Sequence, residues 1–507
     1  MFPFLFPFWI DCHNPAGLEF LSDTRTSQAE VWALAAKGGW ADYYQGDQSI
    51  EWGALTQSLY RVNHKICLRG EVSYRNRTSQ NVTGSVFIDP TDTPFDMVEY
   101  NVGREGETQL EHYHLLGGVS GEWSDRWFWG LNIDFTAANL AKRRDLRHQN
   151  RLMQMNLSGG TLWHATDHFC LGLSYGFDRR IEGVSFNIAG TSDEDYYTLV
   201  SYGNFYGIKQ LATSLDGYAS TSSGMIPLVD ERHQVALQLG SDPKAETPWL
   251  NEFVYTHRQG YYGRESLYSI VYTDHDGQSL QWRGQLGLSA PSGIRHQWQT
   301  KVLWEQLNNR ENLYNEEQQG GGLTRIVYYG KMQRLSRQIL QTSLSYRGEV
   351  GQIFEQLPRW SWQTEVNYRF RGQTTTFFPI ERKQEVSQFR CQVIGSLAWA
   401  LTQGALNLSL SGTFLWGNGS ECRDKNVSGS ESATTYASSL DRYLHHEYEF
   451  LTAPQVQTGF QGRYIRSYQG LRPYIQTSIH WTQAINSPQY IPSSHHIEAA
   501  LNIGLEF

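Results

Sequence analysis

The chain has 507 residues, of which 14% are aromatic and only 18% charged, and its mean hydropathy is −0.51. A soluble enzyme of this length usually carries more charge and fewer aromatic residues. The net charge of −9 offers no basic surface to a nucleic acid, and no stretch reaches the roughly 18–20 continuous apolar residues of a transmembrane helix. The totals therefore argue against a nucleic-acid-binding protein, a helical membrane protein and an ordinary soluble enzyme.

The N-terminal segment, MFPFLFPFWIDCHNPAGLEF, is apolar but lacks the positively charged start of a secretory signal peptide, and two prolines interrupt it. Either a signal has been removed or the true start lies elsewhere, since the interpretation below requires export. Within this segment Asn14, Pro15, Ala16 and Gly17 form a turn motif. Proline fixes a bend, glycine permits a close approach, and asparagine hydrogen-bonds neighbouring backbone.

From residue 27 onward the sequence alternates between apolar and polar residues. Successive side chains of a strand point to opposite faces, so this period of two predicts strands. In residues 127–136, for example, Leu131 and Ile133 alternate with Asn132 and Asp134. The same pattern recurs in ICLRGEVSYR (66–75), FCLGLSYGFD (169–178), WSWQTEVNYRFR (360–371), ALNLSLSGTFLW (405–416) and YIQTSIHW (474–481).

The two faces of these strands differ in a way that indicates a membrane barrel. The polar faces carry full charges in mid-strand, whereas the apolar faces often end in Trp or Tyr. Membrane barrels have an apolar outer band, aromatic girdles and a polar lumen, and closure satisfies every backbone polar group within lipid. A soluble sandwich also alternates, but it does not need so many strands of one type. We therefore predict an all-β fold, a transmembrane antiparallel barrel of roughly 14–18 strands over residues 27–507.

The connections between strands fall into two classes. Short turns join 112–124 to 127–139 and 389–400 to 404–416. Long polar stretches occupy residues 76–110, 179–230, 307–321 and 417–446. Short periplasmic turns and long extracellular loops are typical of barrels in the outer membrane of Gram-negative bacteria, which is the expected location.

The chain ends on another alternating stretch, HHIEAALNIGLEF, whose last residue is Phe507. In a closed barrel this strand pairs with the first one, so no edge remains. The ending resembles the C-terminal targeting strand of bacterial outer-membrane proteins, in which the assembly machinery reads a terminal Phe. The resemblance implies that Phe507 is an assembly signal, with the assembly machinery and outer-membrane lipid as partners.

Two further resemblances concern the N-terminal motif and the whole chain. The Asn-Pro-Ala-Gly motif resembles the opening of the long-chain fatty-acid transporter family, which implies that residues 1–26 form a hatch inside the lumen; a plain turn is the alternative. The NPAGL opening and tyrosine-rich stretches such as WADYYQGD (40–47) resemble uncharacterised outer-membrane proteins of Bacteroidota. Those proteins look like companions of nutrient-uptake loci, which implies a TonB-dependent receptor or surface lipoprotein as partner. The polar lumen face departs from the fatty-acid transporters, so a hydrophobic ligand does not carry over.

Several charged residues fall on the inward face of the predicted strands. Rings of such charges set the permeability of a passage, whereas pairing of opposite charges across strands merely stabilises the sheet, and we expect pairing as the simpler reading. The lumen-lining candidates are Arg69, Glu71, Arg75, Asp134, Glu365, Arg369 and Arg371.

Histidines and cysteines do not assemble a recognisable reactive site. Adjacent histidines in LHHEYEF (444–450) and SSHHIE (493–498) would point to opposite faces of a strand, where they cannot share a metal. The five cysteines form no CxxC pair, and no serine lies in a nucleophile elbow. We expect no metal, no cofactor and no enzymatic activity; a hydrolase using His446 or His495 is the least favoured alternative.

The sequence therefore predicts an outer-membrane barrel for passage or uptake of a small molecule, with an N-terminal hatch in the lumen. The alternative is a structural or secretion-associated barrel whose lumen stays blocked and whose extracellular loops bind a protein partner.

Overall fold

Eighteen long strands form one closed antiparallel sheet in the computed structural model of the protein. The structure describes residues 8–21, 26–166, 168–190, 194–214, 217–222, 224–242, 245–290, 293–319, 323–353, 357–429 and 435–507. The strands, numbered in chain order, are β1 (Thr26–Lys37), β2 (Gln48–Asn63), β3 (Ile66–Val82), β4 (Asp96–Glu99), β5 (Gly106–Ser124), β6 (Trp127–Lys142), β7 (Arg147–Thr166), β8 (Phe169–Asn187), β9 (Tyr197–Ser201), β10 (Tyr206–Leu211), β11 (Ile226–Gly240), β12 (Trp249–Ser266), β13 (Ser269–Ser289), β14 (Ile294–Gln319), β15 (Leu323–Ile353), β16 (Leu357–Phe377), β17 (Ile380–Leu401), β18 (Gly404–Asn426), β19 (Ser438–Ser439), β20 (Gln455–Arg466), β21 (Arg472–Ala484) and β22 (His495–Glu506). All except β4, β9, β10 and β19 belong to the barrel.

The barrel closes between its first and last strands. β22 pairs with β1 from Gln28 opposite Glu506 to Lys37 opposite Ile497, and Ser27 and Phe507 exchange two backbone hydrogen bonds of 2.9 Å. Closure leaves no unpaired strand edge. The predicted fold class is confirmed, and the strand number lies at the upper end of the predicted range.

The two faces of the barrel wall follow the alternation of the sequence. Large apolar side chains stand exposed on the outside, among them Leu131, Ile133 and Leu410, which is 65% exposed. Their neighbours Asn132 and Asp134 point inward. An outer apolar band of this kind is what lipid requires of a barrel wall. Separately, no helix among the described residues is long and apolar enough to cross a membrane.

The two ends of the barrel differ as predicted, although several strands extend into stretches that were expected to be loops. Both predicted hairpins are present and extend further, as β5–β6 and β17–β18. The stretch 307–321 is not a loop over its described part, because β14 continues to Gln319 and pairs with β15. Since β13 pairs with β14 only up to Glu311, the two-stranded part, residues 312–319 and 323–331, rises beyond the wall; we call it the ribbon.

The connections at the long-loop end fold into the lumen. We call the described parts of 38–47, 83–105, 188–225 and 427–454 the plug. It contains a four-stranded sheet in the order β19–β10–β9–β4 and one helix, α1 (Asp441–Thr452). Its buried aromatic core continues into inward side chains of the wall, including Tyr262, Leu335 and Phe377. The plug also contacts wall strands far apart in the barrel, β6 through Lys142 and Glu99 and β16 through Arg371 and Glu447, so it reaches across the lumen.

The N-terminal segment enters the lumen at the opposite, short-turn end. We call residues 8–21 the hatch; residues 1–7 and 22–25 of the predicted 1–26 segment lie outside the described residues. Pro15–Phe20 form a short 3₁₀ helix, which Asn14 caps through a 3.0 Å hydrogen bond that its side-chain oxygen accepts from the Ala16 amide. Proline in the first turn suits a helix start because its missing N–H would have no partner there.

Candidate functional site

The hatch lies against a patch of wall made of glycines. A Cβ on Gly130 of β6 would come within 2.3 Å of the Ala16 nitrogen and the Pro15 carbonyl carbon, both of which are backbone atoms. A Cβ on Gly160 of β7 would lie 2.2 Å from the side-chain oxygen of Asn14. Side chains at these positions would therefore exclude the hatch, so the wall is shaped to receive it.

Asn14 connects the hatch to three wall strands through its amide group. Its nitrogen donates to the Thr161 carbonyl at 2.8 Å and to Gln238 Oε1 at 3.1 Å, with a longer contact of 3.4 Å to the Leu173 carbonyl. Asn14 is only 1% exposed. A buried amide with all its groups engaged fixes the position of the turn in the lumen.

A wall carboxylate holds the preceding residue of the hatch. Glu252 of β12 accepts from the His13 amide at 2.8 Å and lies 3.0 Å from the His13 ring nitrogen. It also accepts from Gln238 at 3.1 Å and pairs with Arg283 at 2.8 Å. Arg283 in turn donates to the Asp11 carbonyl at 2.9 Å. The hatch is thus held by polar and charge-assisted contacts over its middle third.

Replacing Asn14 by Ala is expected to weaken hatch docking by about 1–3 kcal/mol, because Gln238 and the Thr161 carbonyl lose a buried donor. Hydrogen exchange of the amides of residues 16–21 should accelerate by roughly 5- to 150-fold, the equivalent of that free energy. The matched control is Asp11→Ala, since the Asp11 side chain is exposed and the contact to Arg283 uses its backbone. Equal exchange in both variants would contradict the anchoring role.

Between hatch and plug, ionisable side chains of the wall meet across strands. His114 of β5 lies 3.3 Å from Glu71 of β3 and 2.9 Å from Asp134 of β6. Asp134 is 37% exposed, so this cluster faces open lumen. The imidazole joins two carboxylates that would otherwise repel each other.

A single plug carboxylate gathers arginines from three wall strands. Asp92 lies 2.5 Å from Arg232 of β11, 3.2 Å from Arg258 of β12 and 3.4 Å from Arg180 of β8. Burial raises the pKa of Asp92, but Arg258 and Arg232 outweigh this effect and hold the pKa below its usual value. Charge-assisted contacts of this kind are the strong ones, so Asp92 clamps the plug to one side of the wall.

A second clamp joins the helix of the plug to the other side of the wall. Arg371 of β16 donates to both oxygens of Glu447 of α1, at 2.9 and 2.8 Å. Arg371 also donates to Gln384 of β17 at 2.9 Å. The two-pronged geometry fixes the orientation of α1 as well as its distance from the wall.

A small polar cavity lies where the plug meets the wall near this second clamp. Its volume is about 60 Å³, enough for a few water molecules. The charged side chains that line it are Asp42, Asp96, Arg337, Arg371 and Glu447. Burial raises the pKa of both Asp42 and Asp96 to about 7, and Glu447 adds to the effect at Asp42. Two carboxyls of the cavity therefore change charge near neutral pH.

All seven lumen-lining candidates lie on the inward face, but they do not form one site. Glu71 and Asp134 meet at His114, whereas Arg75 is 4.0 Å from Glu51 and Arg371 binds the plug. Glu365 accepts from Asn367 at 2.9 Å. The two remaining candidates are placed as follows: Arg69 lies beside Gly118 under the hatch, and Arg369 lies near Glu447. Whether any of them lines a passage stays a prediction.

His446 and His495, the two residues proposed for a hydrolase, and their neighbours His445 and His496 are engaged in separate local contacts. His445 pairs with Glu421 at 2.6 Å, and His446 donates to the Ala41 carbonyl at 2.8 Å, both from α1 rather than from a loop or strand. His495 lies 3.1 Å from Ser493, and His496 donates to the Gly38 carbonyl at 3.1 Å. Within the described ranges no three His, Cys, Asp or Glu residues come together as a metal site would need.

Comparisons with known proteins give a family without an assigned activity. No curated protein matches the sequence. Among solved structures, the ferric preacinetobactin receptor BauA from Acinetobacter baumannii is 8% identical, with 96% of this chain and 80% of that chain covered and a TM-score of 0.44. The outer membrane transporter YddB from Escherichia coli is 8% identical, with 95% and 81% covered and a TM-score of 0.42. A bacterial polysaccharide outer membrane secretin is 9% identical, with 95% and 98% covered and a TM-score of 0.31. Residues 15–507 match the family of unknown function DUF6850, and the chain belongs to that family.

Proposed function

We propose that the barrel lies in the outer membrane of a Gram-negative bacterium and passes a small polar molecule through its lumen. The observation that carries the proposal is how the lumen is occupied. Both the hatch and the plug are parts of the chain that meet the wall through charge-assisted contacts, centred on Glu252, Asp92 and Glu447. Such contacts can be exchanged for water or for a polar solute, so the occupants are removable without breaking the barrel sheet.

The rival function is a barrel with a permanently blocked lumen that binds a protein partner at the cell surface. Two observations favour it. The plug has an aromatic core that continues into the wall, which resists displacement. The ribbon rises beyond the barrel with Tyr328 and Tyr329 exposed at 42% and 65%, and exposed aromatics are enriched in protein interfaces.

Conductance of the purified protein in lipid bilayers separates the two functions. The unaltered protein should conduct little, because the plug spans its lumen. An Asp92→Ala/Glu447→Ala variant removes one partner from each clamp. Losing one partner of a buried ion pair costs about 3–5 kcal/mol, so each of the two substitutions should raise the open population by roughly two to four orders of magnitude. The control is Glu317→Ala, an exposed acid of the ribbon.

The outcome is decisive when plug release is measured independently. Hydrogen exchange of β9 amides reports whether the plug has loosened in the double variant. Faster exchange together with new conductance supports passage. Faster exchange without conductance contradicts passage and leaves the blocked barrel as the function.

Partners follow from the same placement. We propose that lipid contacts the outer apolar band, that the assembly machinery reads the final strand with Phe507, and that the ribbon meets a TonB-dependent receptor or surface lipoprotein. Phe507 lies at the β1–β22 seam at the short-turn end. The ribbon lies at the long-loop end, so under this proposal the two surfaces face opposite sides of the membrane.

A further inference from the structure

Arg337 of β15 is a buried guanidinium with few partners. It is 7% exposed, and among the described residues it donates to the Thr93 carbonyl at 3.2 Å and lies 3.8 Å from Glu305. Its Nε has no hydrogen-bond partner. A guanidinium has five N–H donors, and leaving a buried charge poorly paired is costly. Arg371, on the neighbouring strand, is better paired: it donates two hydrogen bonds to Glu447 and one to Gln384.

The cavity between plug and wall provides space beside this guanidinium. Arg337, Arg371 and Gln373 line it from the wall, so residues of the adjacent strands β15 and β16 border the same cavity. The cavity also contains Asp42 and Asp96. Both oxygens of Asp96 already accept hydrogen bonds, from Ser85 at 2.5 Å and from the Tyr43 hydroxyl at 2.9 Å. Asp42 accepts from the Tyr43 amide at 2.8 Å.

Positive charge exceeds negative charge on the wall around the plug. Three wall carboxylates and two plug carboxylates lie within ion-pair distance of the wall arginines around the plug. Asp178, another wall carboxyl, accepts a hydrogen bond from Gln154 instead. The arginines are Arg180, Arg232, Arg258, Arg337, Arg369 and Arg371; the wall carboxylates are Glu182, Asp230 and Glu305; the plug carboxylates are Asp92 and Glu447. Arg337 and Arg369 are the least closely paired of these arginines, and two further plug carboxyls, Asp42 and Asp96, also line the cavity.

We propose that this cavity binds a small oxyanion, a carboxylate or phosphate group, through Arg337 and Arg371. The inference deepens the proposed function, on which it rests, by naming the solute as anionic. Arg337 is the principal ligand because it lines the cavity and is less closely paired than Arg371, the other arginine there. Arg371 adds a second guanidinium edge while it keeps its contact to Glu447. Planar guanidinium donors match the oxygens of both anion types.

The binding test uses the unaltered protein in detergent, with sodium acetate, sodium phosphate or sodium chloride at equal ionic strength and pH. Hydrogen exchange of the β9 amides measures plug opening. An anion at 100 times its Kd should slow opening by about 100-fold. A response to acetate identifies a carboxylate ligand and a response to phosphate identifies a phosphate ligand, and either supports the site. Responses equal to that of chloride overturn it.

Variants distinguish a ligand from a structural arginine. Arg337→Gln should abolish the response to the anion; plug opening in each anion is compared with the same variant in chloride, because the substitution also removes the contact to the Thr93 carbonyl. Arg337→Lys should keep part of the response. Arg325→Gln, an exposed arginine of the ribbon, is the control and should respond fully. An undiminished response in Arg337→Gln, measured against the opening of the same variant in chloride, overturns the proposal.

The conductance of the Asp92→Ala/Glu447→Ala variant separates this inference from the proposed function. Anion binding without conductance keeps the site and removes passage. Conductance without anion binding keeps passage and removes the anionic solute. When both occur, adding Arg337→Gln to the open variant should lower its preference for anions over cations.

Discussion

Replacing Gly130 by Ala is expected to expose the thiols of Cys67 and Cys170 to a small maleimide. Both thiols lie on the inward wall beneath the hatch, at 0% and 1% exposure, packed against Leu18 and Ala16 respectively. The new Cβ would overlap hatch backbone at 2.3 Å, which rotating a side chain cannot relieve. Overpacking of this kind costs about 1–3 kcal/mol, so labelling should accelerate by roughly 5- to 150-fold.

The matched control is Gly70→Ala. Gly70 also lies in a barrel strand, but its Cβ would meet nothing within 4 Å. Labelling is quantified for each cysteine by mass spectrometry, with Cys391, which lies on β17 away from the hatch, as the internal reference. Gly160→Ala, whose Cβ would overlap Asn14, should reproduce the effect. If both thiols stay protected in Gly130→Ala, the hatch is not seated against this glycine in solution.

The wall could be predicted from the sequence because each face of each strand meets one environment along its whole length. Leu131 and Ile133 face outward while Asn132 and Asp134 face inward, as their alternation requires. The strand count followed from the same repetition. The pairing of Glu71 and Asp134 through His114 could not be predicted, because register between strands decides which inward residues meet.

The alternation predicts the plug residues only as long polar connections and does not show that they fold inside the lumen, although the sequence contains a signal of it. Two stretches within those loops, FIDPTDTPFDMVEY (87–100) and YYTLVSYGNFYGI (196–208), are rich in aromatic and apolar residues. A solvated loop does not need such residues, so they indicated a buried core. The carboxylate clamp at Asp92 lies in the first of these stretches.

The motif from Asn14 to Gly17 suggested a hatch, but the wall glycines that lie against this segment were not predicted. Gly130, Gly160 and Gly172 lie on three different strands. Each takes the place of an inward side chain but leaves the period of two in its strand intact. All three fall on inward positions within a few residues of the short turns. That shared position is a detectable signal, because inward glycines at one level leave room for another segment of chain.

Raising the pH from about 4 to about 7 is expected to destabilise the plug, through Asp42 and Asp96. Burial raises the pKa of each carboxyl from 3.8 to about 7 in the folded plug. Between pH 4 and pH 7 the folded state holds more protons than the unfolded state, so the free energy of plug opening falls as the pH rises. Above about pH 7 this contribution no longer changes. The loss is at most about 4 kcal/mol for each carboxyl. Asp92 acts in the opposite direction, because its pKa is lowered in the folded plug. Its ionised form stabilises the plug above pH 3.8, and this stabilisation is lost as the pH falls below that value.

Hydrogen exchange of β4 and β9 amides, corrected for the intrinsic pH dependence of exchange, should therefore show slowest opening near pH 4–5 and faster opening at pH 8. Asp42→Asn keeps the shape of the side chain and its acceptor for the Tyr43 amide but cannot ionise. This variant should lose about half of the pH dependence, while Glu317→Gln on the ribbon should keep all of it. A plug that opens equally at pH 5 and pH 8 would mean that water or a bound cation already compensates these carboxylates, and the cavity would then be a polar rather than an anion-selective site.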